Sequence, residues 1–406
     1  MPSAAPIPRG PSVLLLGSPA GLLGRPGCPA CWYTAETGDA YLSWFALEGH
    51  GDADMITRVC ASRGMCASHT RRLLDQPGAA ARLTAVYRYV VRAAIGDLGA
   101  EPAPCPACEQ LSAARDRVLG LLLEGLCEAD RRAYEQHGGL CLPHLRRAVL
   151  TAAHGDVRWL VRFMASRLSD ARPGMDVLAG GPDPDAQARA GHRGALARRL
   201  SPGQPWTCSV CWAAASWERT SLADLAAASP ASAARDVLCS MHLRDLVLLA
   251  PAADDLLGCH AAAQRERLGQ VLDGKPRLLG IAPGWLSVRA RRVLAEPDCA
   301  VCHGMRTAAG RATGQIAAGR SELMPAAFRL CVRHIRGLRA VDPVARHLAS
   351  EAAREYGAAL LTELDEAVGK RTQAPTVGGS GHARGNAWRQ AAAFLDGAVF
   401  GGCPAS

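Results

Sequence analysis

The chain has 406 residues, 49% of them hydrophobic, which is enough to bury two or three sizeable cores. Its 16 cysteines fall below the density of small disulfide-stapled scaffolds. The formal charge of +9 suggests an acidic partner, yet only Lys275 and Lys370 among the 46 basic residues are lysines, and aromatics at 5% offer no evident stacking platform for single-stranded nucleic acid. No run approaches the roughly 18 apolar residues of a membrane span. Met1–Gly27 carries an apolar patch at Val13–Leu16 but no basic flank beyond Arg9, and reads poorly as a signal peptide. A reducing cytoplasm is the expected setting, where a regular Cys/His pattern means metal more often than disulfide.

In chain order, residues 1–27 are rich in Pro and Gly and read as irregular. After Cys28, the spacing of Tyr33, Tyr41, Trp44 and Phe45 predicts one helix face. Gly49 and Gly51 close that helix, and Asp52 or Asp54 is placed to cap a short second one. Arg63-Gly64 turns the chain into Cys66, and Ala79–Leu98 reads as a further helix. Cys108–Leu126 is a strong helix with Val118, Leu119, Leu122 and Leu123 on one stripe. Asp130–His137 returns, Gly138-Gly139 ends it, and Leu145–Leu168 follows. Residues 171–205 contain three prolines before Ser201 and read as a flexible linker between two separately folding halves, 28–170 and 206–370. In the second half Leu243–Leu257, Cys259–Leu272 and Val344–Val368 are helical. Residues 371–386 form a Gly-rich linker, and 387–406 hold a terminal docking helix with Trp388, Ala392, Leu395 and Val399 on one side. Strand signals are nearly absent, so the expected fold is all-α.

Four blocks repeat one pattern, Cys-x-x-Cys followed by Cys-x-x-His. Their members are Cys28, Cys31, Cys66 and His69; Cys105, Cys108, Cys141 and His144; Cys208, Cys211, Cys239 and His242; and Cys299, Cys302, Cys331 and His334. The pairs alternate strictly, with gaps of 34, 32, 27 and 28 residues between them. An apolar residue precedes each third Cys (Met65, Leu140, Leu238, Leu330), and an Arg stands two residues after each His (Arg71, Arg146, Arg244, Arg336). Positions i and i+3 share one face of a first helical turn, so both ligands of a motif converge. Such gaps suit two helices of about 12 residues, each about 18 Å long, one leaving the metal and one returning. Each block is therefore expected to close its own Cys3His site. Helix N-terminal amides favour thiolate over thiol there, and Pro29, Pro106 and Pro143 fit a first helical position.

Three thiolates and an imidazole suit zinc, about four ions per chain. Each such site carries −1, bringing +9 to about +5. Iron–sulfur clusters accept the same donors as a minority ligation. A thiol–disulfide role for the Cys-Pro-x-Cys motifs lacks the βαβ setting of that chemistry. Cys299-Ala-Val-Cys302-His303 spells a haem-attachment string, but the other blocks have Trp32, Glu109 and Trp212 at the His303 position. The four arginines are candidates to hydrogen-bond thiolate from outside the ligand set. Cys127 reads as core, and Cys60, Cys259 and Cys403 as incidental. No phosphate loop, nucleophile elbow or paired-carboxylate motif is present.

The blocks resemble a family of bacterial proteins, largely uncharacterised, with repeated Cys-Pro-x-Cys and Gly-x-Cys-x-x-His motifs. The resemblance spans roughly residues 28–370 and is closest in the first two blocks, since the last two lack the Pro after the first Cys and the Gly before the third. It implies zinc-type sites and no particular activity. The reading is thus an all-α protein of tandem helical repeats, each organised around a Cys3His metal site, serving as a structural or interaction scaffold for a protein partner. A metal-dependent biosynthetic enzyme with one open site is the first alternative, and a nucleic-acid binder using the arginines is the second.

Overall fold

The computed structural model describes residue 23 and residues 25–169 apart from 75, 77–78, 126 and 152–156. It then describes 174–181, 208–233, 238–250, 252–272, 299–318, 330–338, 342–369 and 387–395. Among the described residues every regular element is helical and none is a strand, as the sequence leads one to expect. Before residue 182 the helices are α1 (Pro29–Leu47), α2 (Ala53–Ala61), α3 (Ala67–Leu74), α4 (Ala79–Gly96), α5 (Pro106–Gly125), α6 (Glu128–Gln136), α7 (Leu142–Thr151), α8 (Val157–Arg167) and α9 (Met175–Ala179). After residue 207 come α10 (Ser209–Ala227), α11 (Pro230–Ala233), α12 (Ser240–Leu249), α13 (Ala253–Leu272), α14 (Ala300–Ala317), α15 (Val332–Gly337), α16 (Pro343–Gly369) and α17 (Ala387–Leu395).

Local chemistry sets several boundaries. Asp52 caps α2, its carboxylate accepting the Met55 amide at 2.8 Å. Gly138 and Gly139 end α6 with φ of +94° and +64°, a backbone that a Cβ disfavours. Cys127 is not core: it stands exposed at the N-cap of α6, where its amide and thiol both donate to Asp130 Oδ2. The helix expected over Leu145–Leu168 is two, α7 and α8, with 152–156 between them outside the described residues.

By contact the chain forms two units. The first comprises Met1–Tyr41, Gln110–Pro184 and Leu222–Ala300. Here α13 packs on α8, α11, α12 and α9, and α7 lies against α8 and α9. Tyr134 is sandwiched near Trp159 and Phe163, with ring centroids 5.1 and 5.4 Å away. The second unit comprises Leu42–Glu109, Asp185–Ser221 and Val301–Ser406. Its centre is α4, packed by α2, α16 and α17. Leu83, Val86, Tyr87, Val90, Val91 and Ala94 form the buried face of α4. Opposite them α16 buries Ala349, Ala353 and Gly357 at four-residue spacing, so the backbones approach closely. A Cβ on Gly357 would lie 2.5 Å from Ile95 Cγ2, so nothing larger fits without repacking. Each unit therefore buries helices from before and after residues 182–207 in one core, rather than each half of the chain burying its own.

Residues 174–181, which read as part of a flexible linker, fold as α9 with Val177, Leu178 and Ala179 buried. Three consecutive apolar residues supply burial that the surrounding Pro and Gly obscured. The rest of 171–205 lies outside the described residues, as do residues 1–22, all of 371–386 and the tail from 396, including Val399 and Cys403.

Candidate metal centres

The sixteen motif residues gather into four groups whose ligand atoms all lie within 4.8 Å of one another. Centre I holds Cys28, Cys31, Cys141 and His144, and centre II holds Cys66, His69, Cys105 and Cys108. Centre III holds Cys208, Cys211, Cys331 and His334, and centre IV holds Cys239, His242, Cys299 and Cys302. This corrects the expected pairing. No block closes on itself; each Cys-x-x-Cys joins the Cys-x-x-His of the neighbouring block, and the pairs nest, outer with outer and inner with inner.

Helix length explains the nesting. The outgoing helix is not about 12 residues but 19 in α1 and 20 in α5, carrying the chain about 28–30 Å. The returning helices α2 and α6 have nine residues each and cover only about 14 Å. A short return cannot bring Cys66 back to Cys28, nor Cys141 back to Cys105. Each Cys-x-x-His instead meets the motif of the other block.

All eight motifs use the same local device. The first Cys precedes the helix and its carbonyl accepts the first intrahelical bond, from Trp32, Thr70, Glu109, Leu145, Trp212, Leu243 and Ile335 in seven of them. Cys239 and Cys331 have extended N-cap geometry, with φ, ψ of −69°, 162° and −65°, 155°. The second ligand follows one turn later. Each centre thus sits at two helix N-termini, whose unpaired amides and dipoles favour thiolate. Pro29 and Pro106 occupy the first helical position, but Pro143 occupies the second, because α7 starts at Leu142. Its missing N–H is again one the helix would leave unpaired.

In every centre the imidazole presents Nδ1. In centre I it lies 3.4, 3.3 and 3.1 Å from Cys28, Cys31 and Cys141 Sγ, and Cys31 and Cys141 Sγ are 3.6 Å apart. In centre II, His69 Nδ1 is 3.2, 3.6 and 3.5 Å from Cys66, Cys105 and Cys108 Sγ. In centre III, His334 Nδ1 is 3.3, 3.3 and 3.2 Å from Cys208, Cys211 and Cys331 Sγ. In centre IV, His242 Nδ1 is 3.3 Å from Cys239 and 3.2 Å from Cys299.

Thiols this close cannot all ionise without a cation. In centre I, bonds from Cys141 and Cys28 hold the Cys31 thiol far below its usual value, while burial, Cys28 and Cys31 push Cys141 far above. Centre II repeats the split: Cys108 and Cys66 lower Cys105, and Cys105 and Cys66 raise Cys108. Burial alone would lower the imidazoles, but the sulfurs overcome it, raising His69 to about 9 through Cys105 and Cys66 and His144 to about 10 through Cys28 and Cys31.

Several supports were not read in the sequence. Gly181 donates its N–H to Cys31 Sγ at 3.3 Å, so the end of α9 straps centre I. Gly180 has φ +90° and ψ 177°, a region open essentially to glycine alone, and a Cβ there would lie 2.9 Å from Cys31 Sγ. Buried tyrosines brace the turns before two Cys-x-x-His motifs: the Leu140 amide donates to Tyr134 at 2.8 Å, and Tyr87 Oη lies 3.3 Å from Thr70 Oγ1, which donates to the Met65 carbonyl at 2.9 Å. The four apolar residues before the third cysteines, Met65, Leu140, Leu238 and Leu330, are all buried.

The arginines after each His make varied contacts. Arg244 donates to the carbonyls of Ala179, Gly180 and Gly181, fixing the strap over centre I. Arg146 donates to Gln264 Oε1 at 2.7 Å and Arg336 to Glu101 at 2.9 Å, each joining segments from opposite sides of residues 182–207. The side chain of Arg71 is outside the described set. His260, beside Gln264, is pushed down to about 4 by burial and by Arg146 and Arg267. Comparison with known protein families, curated proteins and solved structures finds no match to this chain.

Proposed function

We propose that the chain is a zinc-binding scaffold, in which four Cys3His centres, ligated by the sixteen residues of centres I to IV, hold short helices in place for a protein partner. The carrying observation is the size of the ligand sets. Zinc bonds of about 2.3 Å to sulfur and 2.0–2.1 Å to nitrogen make tetrahedral edges of about 3.8 and 3.5 Å. All ligand atoms of a set lie within 4.8 Å of one another, and the close S–S and S–N pairs at 3.1–3.8 Å match one ion per set. An iron–sulfur cluster spreads its ligands over several irons, and sets this compact favour a single ion over it.

Four donors per set fill a tetrahedron and leave no position for a substrate water, which supports a structural role over an open-site enzyme. The energetic scale fits. A structural zinc site contributes about 10–16 kcal/mol, whereas a domain's whole net stability is about 5–15 kcal/mol. Elemental analysis of anaerobically purified protein, with a visible spectrum, tests the reading. About four zinc ions and a colourless protein are expected; iron, with or without sulfide, overturns it.

A further inference from the structure

We propose that centre II is a redox modification site, at which Cys108 attacks an organic disulfide, Cys66 resolves the product and the bound ion is released. The inference rests on the zinc reading of the four centres. Centre II differs from the others in access. Its Cys108 is exposed and Cys66 and Cys105 are half-buried, so it has no buried cysteine. Centre I buries Cys28 and Cys141, centre III Cys208 and Cys331, and centre IV Cys299 and Cys302. Centre I has in addition the Gly181 amide on Cys31, the half-buried thiol of its set.

Exposure alone would make Cys108 only an alkylation target, as Cys127 is. The second observation is the partner sulfur: Cys66 Sγ lies 3.6 Å from Cys108 Sγ, and the two cysteines belong to different helix N-termini, α3 and α5. Coordination keeps both ionised. The Cys108 thiolate attacks one sulfur of the disulfide; a new S–S bond forms, the old one breaks, and one half leaves as thiolate. The Cys66 thiolate then attacks Cys108 Sγ, closing a Cys66–Cys108 disulfide and expelling the other half as thiolate. Two electrons pass from the two cysteines to the organic disulfide and no proton is needed. The ion, left with Cys105 and His69, loses half its donors.

The test uses the full zinc-loaded chain carrying Cys127→Ser, which removes the one thiol exposed outside the centres among the described residues, and Cys403→Ser, which removes the thiol of the undescribed tail. Dithiodipyridine is the probe, with zinc release followed by a chromophoric chelator and disulfides located by peptide mapping. The first zinc should leave roughly tenfold faster than the second, with two thiopyridones per ion and a Cys66–Cys108 link in the map. A thiol reductant with zinc should reverse it. Release of the first zinc with a disulfide from centre I, III or IV, loss of all four together, or a lasting adduct on Cys108 with zinc retained would each overturn the proposal. A chain that binds no zinc before treatment sinks the underlying reading as well, and elemental analysis at the start separates that case.

Discussion

At the residue scale, centre I rests on glycine and tyrosine as well as on its ligands. Gly180 adopts a backbone region that costs other residues about 1–3 kcal/mol, and its missing Cβ leaves room for Cys31 and Cys141 Sγ. Gly180→Ala should lift the strap, lower the melting temperature and reduce bound zinc from four toward three, as read by elemental analysis and thermal denaturation. Gly174→Ala, at ordinary φ of −69°, displaces only the movable end of the Asp176 side chain and is the matched control on the same segment. Tyr134→Phe leaves the buried Leu140 amide without its hydroxyl acceptor. The expected loss is about 1–3 kcal/mol, measurable by urea titration of the zinc-loaded protein.

Among the elements, the contact between α4 and the α16–α17 pair decides what can fold alone. A chain ending at residue 172 would keep both ligand sets of centres I and II yet expose Leu83, Val86, Val90 and Val91 on α4, each under 2% accessible in the full chain. Such a chain also lacks the strap over centre I, so it should load zinc firmly at centre II alone, bind a hydrophobic dye strongly and self-associate; a monodisperse fragment that binds no dye would contradict this packing. The same element shows where sequence reading runs out. The i, i+3 spacing and the helical periodicity made the sixteen candidate ligands and the all-α class legible. The pairing was not, because adjacent and nested sets contain the same three Cys and one His. Only the mismatch between a 19-residue helix and a nine-residue return distinguishes them. Gly49, Gly51 and the Cys108–Leu126 stripe mark the long outgoing helices, but the short return after α5 is unmarked, because Cys127 looks like helix interior. Likewise α9 was hidden because Val177-Leu178-Ala179 sits between prolines and glycines that signal a loop.

For the whole molecule, acid should act through the centres. In the ion-free sets His69 is raised to about 9 and His144 to about 10, so at neutral pH each imidazole holds a proton that an ion must displace. Zinc affinity should therefore rise with pH until those values are passed, and fall in acid as thiolates protonate. Without metal the sign reverses: a raised folded value favours the ion-free fold below the ordinary histidine range of about 6.5 and loses that benefit as pH passes 9–10. Competition with a chromophoric chelator from about pH 6 to about pH 9, beside helicity of the chelated protein, separates the two trends. A pH-independent affinity would count against thiolate and imidazole ligation.

The nested pairing also sets an order of events on the ribosome. Centre II needs only residues up to Cys108 and can close early, whereas Cys28 and Cys31 must wait for Cys141 and His144 to emerge. During that wait, Cys66 and His69 offer the same donors over a much shorter loop, and chain entropy favours this wrong closure by about 1 kcal/mol. The growing chain is thus drawn first toward the ligand set that a reader of its sequence would choose. What rescues it is the stiffness of α1, which must melt for the short loop to close. Helix formation in α1 before an ion arrives is therefore expected to disfavour the wrong closure.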